Sequence, residues 1–178
     1  MWTRWKSELV AASGVIVLGG LNHFIYEWSG KHPATAWFSA TNESVWEHMK
    51  LGVWPYTLMA VIMFFVHYYG PTNKVGDHKE DVWFSSALGL VLHIIFIPFI
   101  FYLYTQGKEG KSILAVDLTI FFVAVILGHL LSWAFSQQFP AAKLWKWIVG
   151  ILIYVMTLTL FVTFSYAPPS DNGLFYQY

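Results

Sequence analysis

"TNESVWEHMKLGVWPYTLMAVIMFFV", residues 41–66, joins the most densely polar stretch of the chain directly to an apolar run. Residues 41–50 hold Glu43, Glu47, His48 and Lys50, whereas Leu51–Val66 contains no Asp, Glu, Lys, Arg or His. A helix over 43–69 is long enough to cross a bilayer core, which takes about 20 predominantly apolar residues. This one reading decides the fold class, because a polar entry followed by an uninterrupted apolar run is how a membrane helix begins.

The rest of the chain agrees. Of its 178 residues, 57% are hydrophobic and 11% charged. Mean hydropathy is +0.52. A soluble domain would carry about a quarter charged residues. Trp, Tyr and Phe number 10, 10 and 15, as expected where amphipathic aromatics gather at membrane interfaces. Net charge is zero and no basic patch is present, which leaves nothing for nucleic-acid binding to rest on. Cysteine is absent, so any metal ligands must be His, Asp or Glu.

Helix-length apolar segments fall at about 8–28, 43–69, 82–104, 113–135 and 144–166. Turn-rich breaks separate them: "SGKHPATAWFSATN", "GPTNKVGDHKED", "TQGKEGK" and "QQFPAA". Short connections predict sequential antiparallel helices. The expected fold is an all-α integral membrane protein, a single five-helix transmembrane bundle over 1–178 with a tail at 167–178. The start "MWTRWKSELVAASGVIVLGGL" has the make-up of a signal peptide, but it is read as a retained first helix. Pro168-Pro169 stops helix 5, and Leu174-Phe175-Tyr176 is placed to fold back over the mouth of the bundle, bringing Asp171 with it.

Arg4, Lys6, Lys74, Lys79, Lys143 and Lys146 collect on one side; Lys31, Lys50, Lys108 and Lys111 fall on the other. The positive-inside rule then places the N-terminus in the cytoplasm and the C-terminus outside, in a multi-pass protein of the plasma membrane.

This orientation gives each polar residue a depth, at about 1.5 Å per residue. His23 and His48 share a level in the outer leaflet, with Glu27 and Glu43 one turn further out. Asp117 enters from helix 4 at a similar height. Gly19, Gly20, His23 and Glu27 share one face of helix 1, and Asp117 shares a stripe with Ala124, Gly128 and Ser132. Small residues beside ionisable ones mark a bundle interior. Thr41 or Asn42 can cap helix 2, with Glu43 complementing the helix dipole. Glu47 lies deeper, where it can pair with Lys50 on the same helix or serve a site.

Charged groups within a bilayer are costly and usually face a cavity or a partner. Two histidines at one depth flanked by carboxylates point to a divalent metal such as zinc, with His48 and His23 as ligands. Asp117 or Glu47 would then be a further ligand or the general base for a bound water. The substrate would be lipid-like. A second reading is a proton or ion pathway, because His48, His93, His129 and His67 descend across the membrane in that order. A third is a non-catalytic subunit of a homo-oligomer or larger membrane complex. Pro55 and Pro98 each free a backbone carbonyl in mid-helix, which something must satisfy.

The stretch "NESVWEH" (42–48), with five spans and a terminal "PP…LF" (168–175), resembles a family of small bacterial and archaeal integral membrane proteins of unknown function. The resemblance implies membrane location and a five-helix fold. A weaker similarity links the chain to the seven-helix membrane zinc hydrolases, which include the alkaline ceramidases and the adiponectin-receptor group. Ser44…His48 matches their Ser-x-x-x-His and Asp117 could supply their Asp, so the resemblance implies a catalytic place for Ser44. Their late His-x-x-x-His has no counterpart after His129.

Overall fold

Apolar side chains repeat around the full circumference of each long segment, so each helix can bury one face on its neighbours and still present an apolar one outward. The computed structural model describes residues 4–69, 80–106, 111–138, 144–169 and 173–175. Among these, five α-helices are long and apolar enough to cross a membrane. They are α1 (Arg4–Trp28), α2 (Val45–Tyr69), α3 (Glu80–Thr105), α4 (Leu114–Gln138) and α5 (Leu144–Tyr166). No strand occurs among the described residues. Lys74, Lys79, Lys108, Lys143 and Asp171 lie outside them.

Two boundaries differ from the hydropathy reading. α1 starts earlier, at Arg4, because Arg4 and Glu8 pair across one turn at 2.7 Å and can enter the helix together. α2 starts later: the Ser44 carbonyl accepts the first helical bond, from His48 N, and its hydroxyl accepts from Glu47 N. Ser44 is therefore the cap, not Thr41 or Asn42. The Asn42 side chain turns instead to the Ser44 amide at 2.9 Å, the local competition typical of Asn. Glu43 precedes the helix.

Helices α1 to α4 close into a ring, and α5 lies outside it against α3. Neighbours along the chain are antiparallel: His23 near the end of α1 faces His48 near the start of α2, and Tyr104 at the end of α3 faces Asp117 at the start of α4. The bundle thus has a His23 end and a Glu8 end. α3 and α4 form the most extensive pairing. They cross where Gly89 meets Gly128; a Cβ on Gly89 would lie 2.3 Å from the Gly128 carbonyl oxygen. Pro55 lies inside α2 and leaves the Leu51 carbonyl without a helical donor. Gly19 lets α1 close on that oxygen, since a Cβ there would come within 2.9 Å of it.

The described part of the tail folds back, but beside α2 and α5. Phe175 sits 4.9 Å from the Trp46 ring, which stacks on Phe161 at 4.2 Å.

Candidate functional site

The polar entry to α2 divides into two sets of contacts. Glu47 and Lys50 turn inward. Lys50 Nζ donates to Glu47 Oε2 at 2.7 Å, to the Ala36 carbonyl at 2.6 Å and to Ser165 Oγ at 3.1 Å. Glu47 Oε2 also accepts from the Thr41 amide at 2.8 Å. An ammonium has three donors, and all three are used. The pair ties α2 to α5 and to the segment between α1 and α2, where Trp54 Nε1 adds a bond to the Trp37 carbonyl at 3.0 Å.

Glu43 and His48 turn the other way, toward α1. His48 Nε2 lies 3.3 Å from Glu43 Oε2, and His23 Nε2 lies 3.8 Å from Glu43 Oε1. The two imidazole centroids are 6.2 Å apart. The hydrogen bond with His48 holds the Glu43 carboxyl below the ordinary carboxylate range, against partial burial, which acts in the opposite sense.

Below this trio a cavity of about 370 Å³ lies between α1, α2, α3 and α4, with His23, His48 and Asp117 as the ionisable groups of its wall. The remainder is almost wholly apolar, and Phe121 and Leu51 are part of it. Phe24, Leu118 and Phe122 line the cavity and are also exposed on the bundle surface. The cavity therefore opens sideways between α1 and α4. Asp117 is held in place by hydroxyl donors, Tyr104 on one oxygen and Ser112 on the other at 2.6 Å.

A family model for DUF6512, a family of unknown function, matches residues 2–176. The chain belongs to the DUF6512 family. No curated protein and no solved structure matches it.

In this DUF6512 chain the structure brings His23, His48 and Asp117 to one cavity, with Glu43 against the two histidines but not on the cavity wall. Glu47 and Ser44 are not on its wall, the first engaged with Lys50 and the second capping α2. Glu27 pairs with Lys31 on the surface at 3.3 Å. Among the described residues, no three His, Asp or Glu side chains are gathered as a metal ion would need them.

His93 and His129 belong to a different cluster, toward the Glu8 end. His129 Nδ1 lies 2.8 Å from Glu8 Oε2, while Ser132 donates to Glu8 Oε1 at 2.8 Å. Arg4 closes the set, 2.7 Å from Glu8 and 2.8 Å from Ser85 Oγ. Glu8 is the buried carboxylate that hydropathy passes over, because it falls at the boundary drawn for helix 1. The Arg4…Glu8 spacing of one helical turn was the available signal. His93 is completely buried, and its ring fills the space above Gly52, where a Cβ would lie 1.9 Å from Nε2.

Proposed function

We propose that this chain is a multi-pass protein of the plasma membrane that binds a lipid-like amphiphile in the cavity between α1 and α4. The observation that carries the reading is the cavity's polarity: apolar along its length, with His23, His48 and Asp117 at one end. Ligand sites are typically apolar pockets with a few convergent polar groups that fix orientation. An acyl chain would lie along Phe121 and Leu118, and the polar head would meet the two imidazoles. The sideways opening lets the ligand enter from the bilayer without crossing water. In the orientation given by the positive-inside rule, the His23 end lies in the outer leaflet.

The zinc-hydrolase expectation receives less support. Glu47 is neutralised by Lys50, Ser44 caps a helix, and Glu43 stands between the two histidines. A binding role needs none of them to be catalytic.

Gly20 supplies the test. It borders the cavity, and a Cβ there meets nothing within 4 Å, so Gly20→Phe introduces a ring at the cavity's edge with no clash at its Cβ. Native mass spectrometry of detergent-purified protein should show a retained amphiphile in the wild type. Occupancy should fall about tenfold in Gly20→Phe, equivalent to about 1.4 kcal/mol of binding. Equal retention in the two proteins would assign the lipid to the outer surface and sink the proposal.

A further inference from the structure

The centre of the bundle contains polar atoms that packing does not explain. Tyr56 Oη, His129 Nε2 and both ring nitrogens of His93 have no hydrogen bond of ordinary geometry among the described residues. The His93 ring lies against the Ala124 backbone without making one. All three residues are at most 5% exposed. They are also neighbours: Tyr56 stacks on His129 at 4.4 Å and lies 6.2 Å from His93, centroid to centroid. A buried polar group without a partner costs several kcal/mol in an apolar medium, so phenylalanine would fill these positions at lower cost.

Two further features bracket the three rings. On one side a cavity of about 10 Å³ is bordered by Arg4, Glu8, Tyr56, Ser86 and His129, about the volume that one water needs. A water there would have several polar partners within its walls. On the other side Phe121 packs edge-on against His93 at 5.8 Å and also forms the wall of the amphiphile cavity. Its tip is lodged against α1, where a Cβ on Gly19 would come within 2.7 Å of it. Phe121 thus stands between the His93 ring and the cavity that holds His23 and His48.

We propose that His93, Tyr56, His129 and Glu8 form a proton path from mid-bundle to the Glu8 end, closed against the cavity by Phe121. His129 Nδ1–H donates to the Glu8 carboxylate, which leaves Nε2 as the acceptor. Once ring rotation or a bridging water closes the gap between them, a proton held on His93 passes to Tyr56 Oη as the Tyr56 hydroxyl releases its own to a water in the central cavity. The water protonates His129 Nε2, and Nδ1 releases its proton to Glu8. Each transfer breaks one N–H or O–H bond and forms another; Glu8 ends protonated and His129 as its Nε2–H tautomer, and loss of the Glu8 proton with a half-turn of the His129 ring restores the start. The charged and titratable groups that face Glu8 and His129 are Arg4 from α1, Tyr56 from α2, His93 from α3 and Tyr154 from α5. Arg4 lies 2.7 Å from Glu8, the terminal acceptor of the path. Tyr154 is occupied by its bond to Ser86 Oγ at 3.1 Å.

The test uses full-length protein in liposomes with an entrapped pH-sensitive dye and a potassium diffusion potential. Phe121→Ala removes the barrier, and Phe121→Val is a milder second version. Either should raise proton flux about tenfold over wild type, a barrier change of about 1.4 kcal/mol. Adding Tyr56→Phe, which deletes only the unpartnered hydroxyl, should return flux to the wild-type level, and Glu8→Gln should do the same. No increase in either Phe121 variant overturns the proposal. So does an increase that survives Tyr56→Phe, because that is a leak through an apolar hole. Amphiphile retention is unaffected by Tyr56→Phe, so the two readings fail separately.

Discussion

Glu47 and Lys50 form a 2.7 Å ion pair across one turn of α2, and their side chains are 6% and 0% exposed. The polar stretch that opens the apolar helix is therefore partly a lock, holding α2, α5 and the preceding segment in one arrangement. Removing one partner of a buried pair leaves an uncompensated charge, which costs about 3–5 kcal/mol, whereas apolar replacement of both is often near neutral. Lys50→Met should lower the melting temperature of the purified protein sharply. Glu47→Leu combined with Lys50→Met should recover most of the loss. If Lys50→Met melts like the wild type, the pair is hydrated in solution and the lock does not exist.

The second set of contacts carries a pH signature. Glu43 is held below the ordinary carboxylate range by its hydrogen bond with His48. A carboxylate with a depressed folded value contributes stability above its unfolded pKa, about 4.3, and loses it as the pH falls through the lower folded value. Melting curves of wild type and Glu43→Gln should therefore differ at pH 7 and converge only as the pH falls below the ordinary carboxylate range. A gap that is constant across this range would mean that Glu43 acts through shape alone.

Helix approach at Gly89 predicts a contrast between glycines. Gly89→Ala places a Cβ 2.3 Å from the Gly128 carbonyl oxygen, so α3 and α4 must part at their tightest point. A loss of about 1–3 kcal/mol is expected, the usual range for overpacking. Gly20→Ala meets open space and should gain up to about 1 kcal/mol from helix propensity. Thermal unfolding of the two variants side by side decides this, and equal effects would refute the α3–α4 crossing.

Trp46 tethers the tail. Trp46→Ala removes a buried ring that stacks on Phe161 and meets Phe175, at a cost of about 3–5 kcal/mol for a large core aromatic. The tail should then become accessible to carboxypeptidase while the helices stay intact. Protection equal to wild type would place the anchor elsewhere, on Phe164 alone.

Much of the site was legible because depth in a helical bundle follows from counting residues. His23 and His48 were expected at one level and their rings are 6.2 Å apart; Asp117 was expected at the same height and lines the same cavity. Counting cannot say which way a side chain turns when it has two partners within reach. Glu47 and His48 are adjacent in sequence, yet one is drawn to Lys50 and the other faces α1. The Glu8 cluster was illegible for a different reason. A carboxylate near a helix start reads as interfacial until a histidine and a serine from the far end of another helix are seen to cover it.

The amino-acid sequence by itself determined the number of helices, their approximate limits and their alternation, because apolar length and turn residues are local properties of the chain. Tertiary structure decided which ionisable groups neutralise one another and which line a cavity. Such pairings depend on helix rotation and on where Gly19, Gly52, Gly89 and Gly128 let neighbouring groups come close. No local signal encodes those distances.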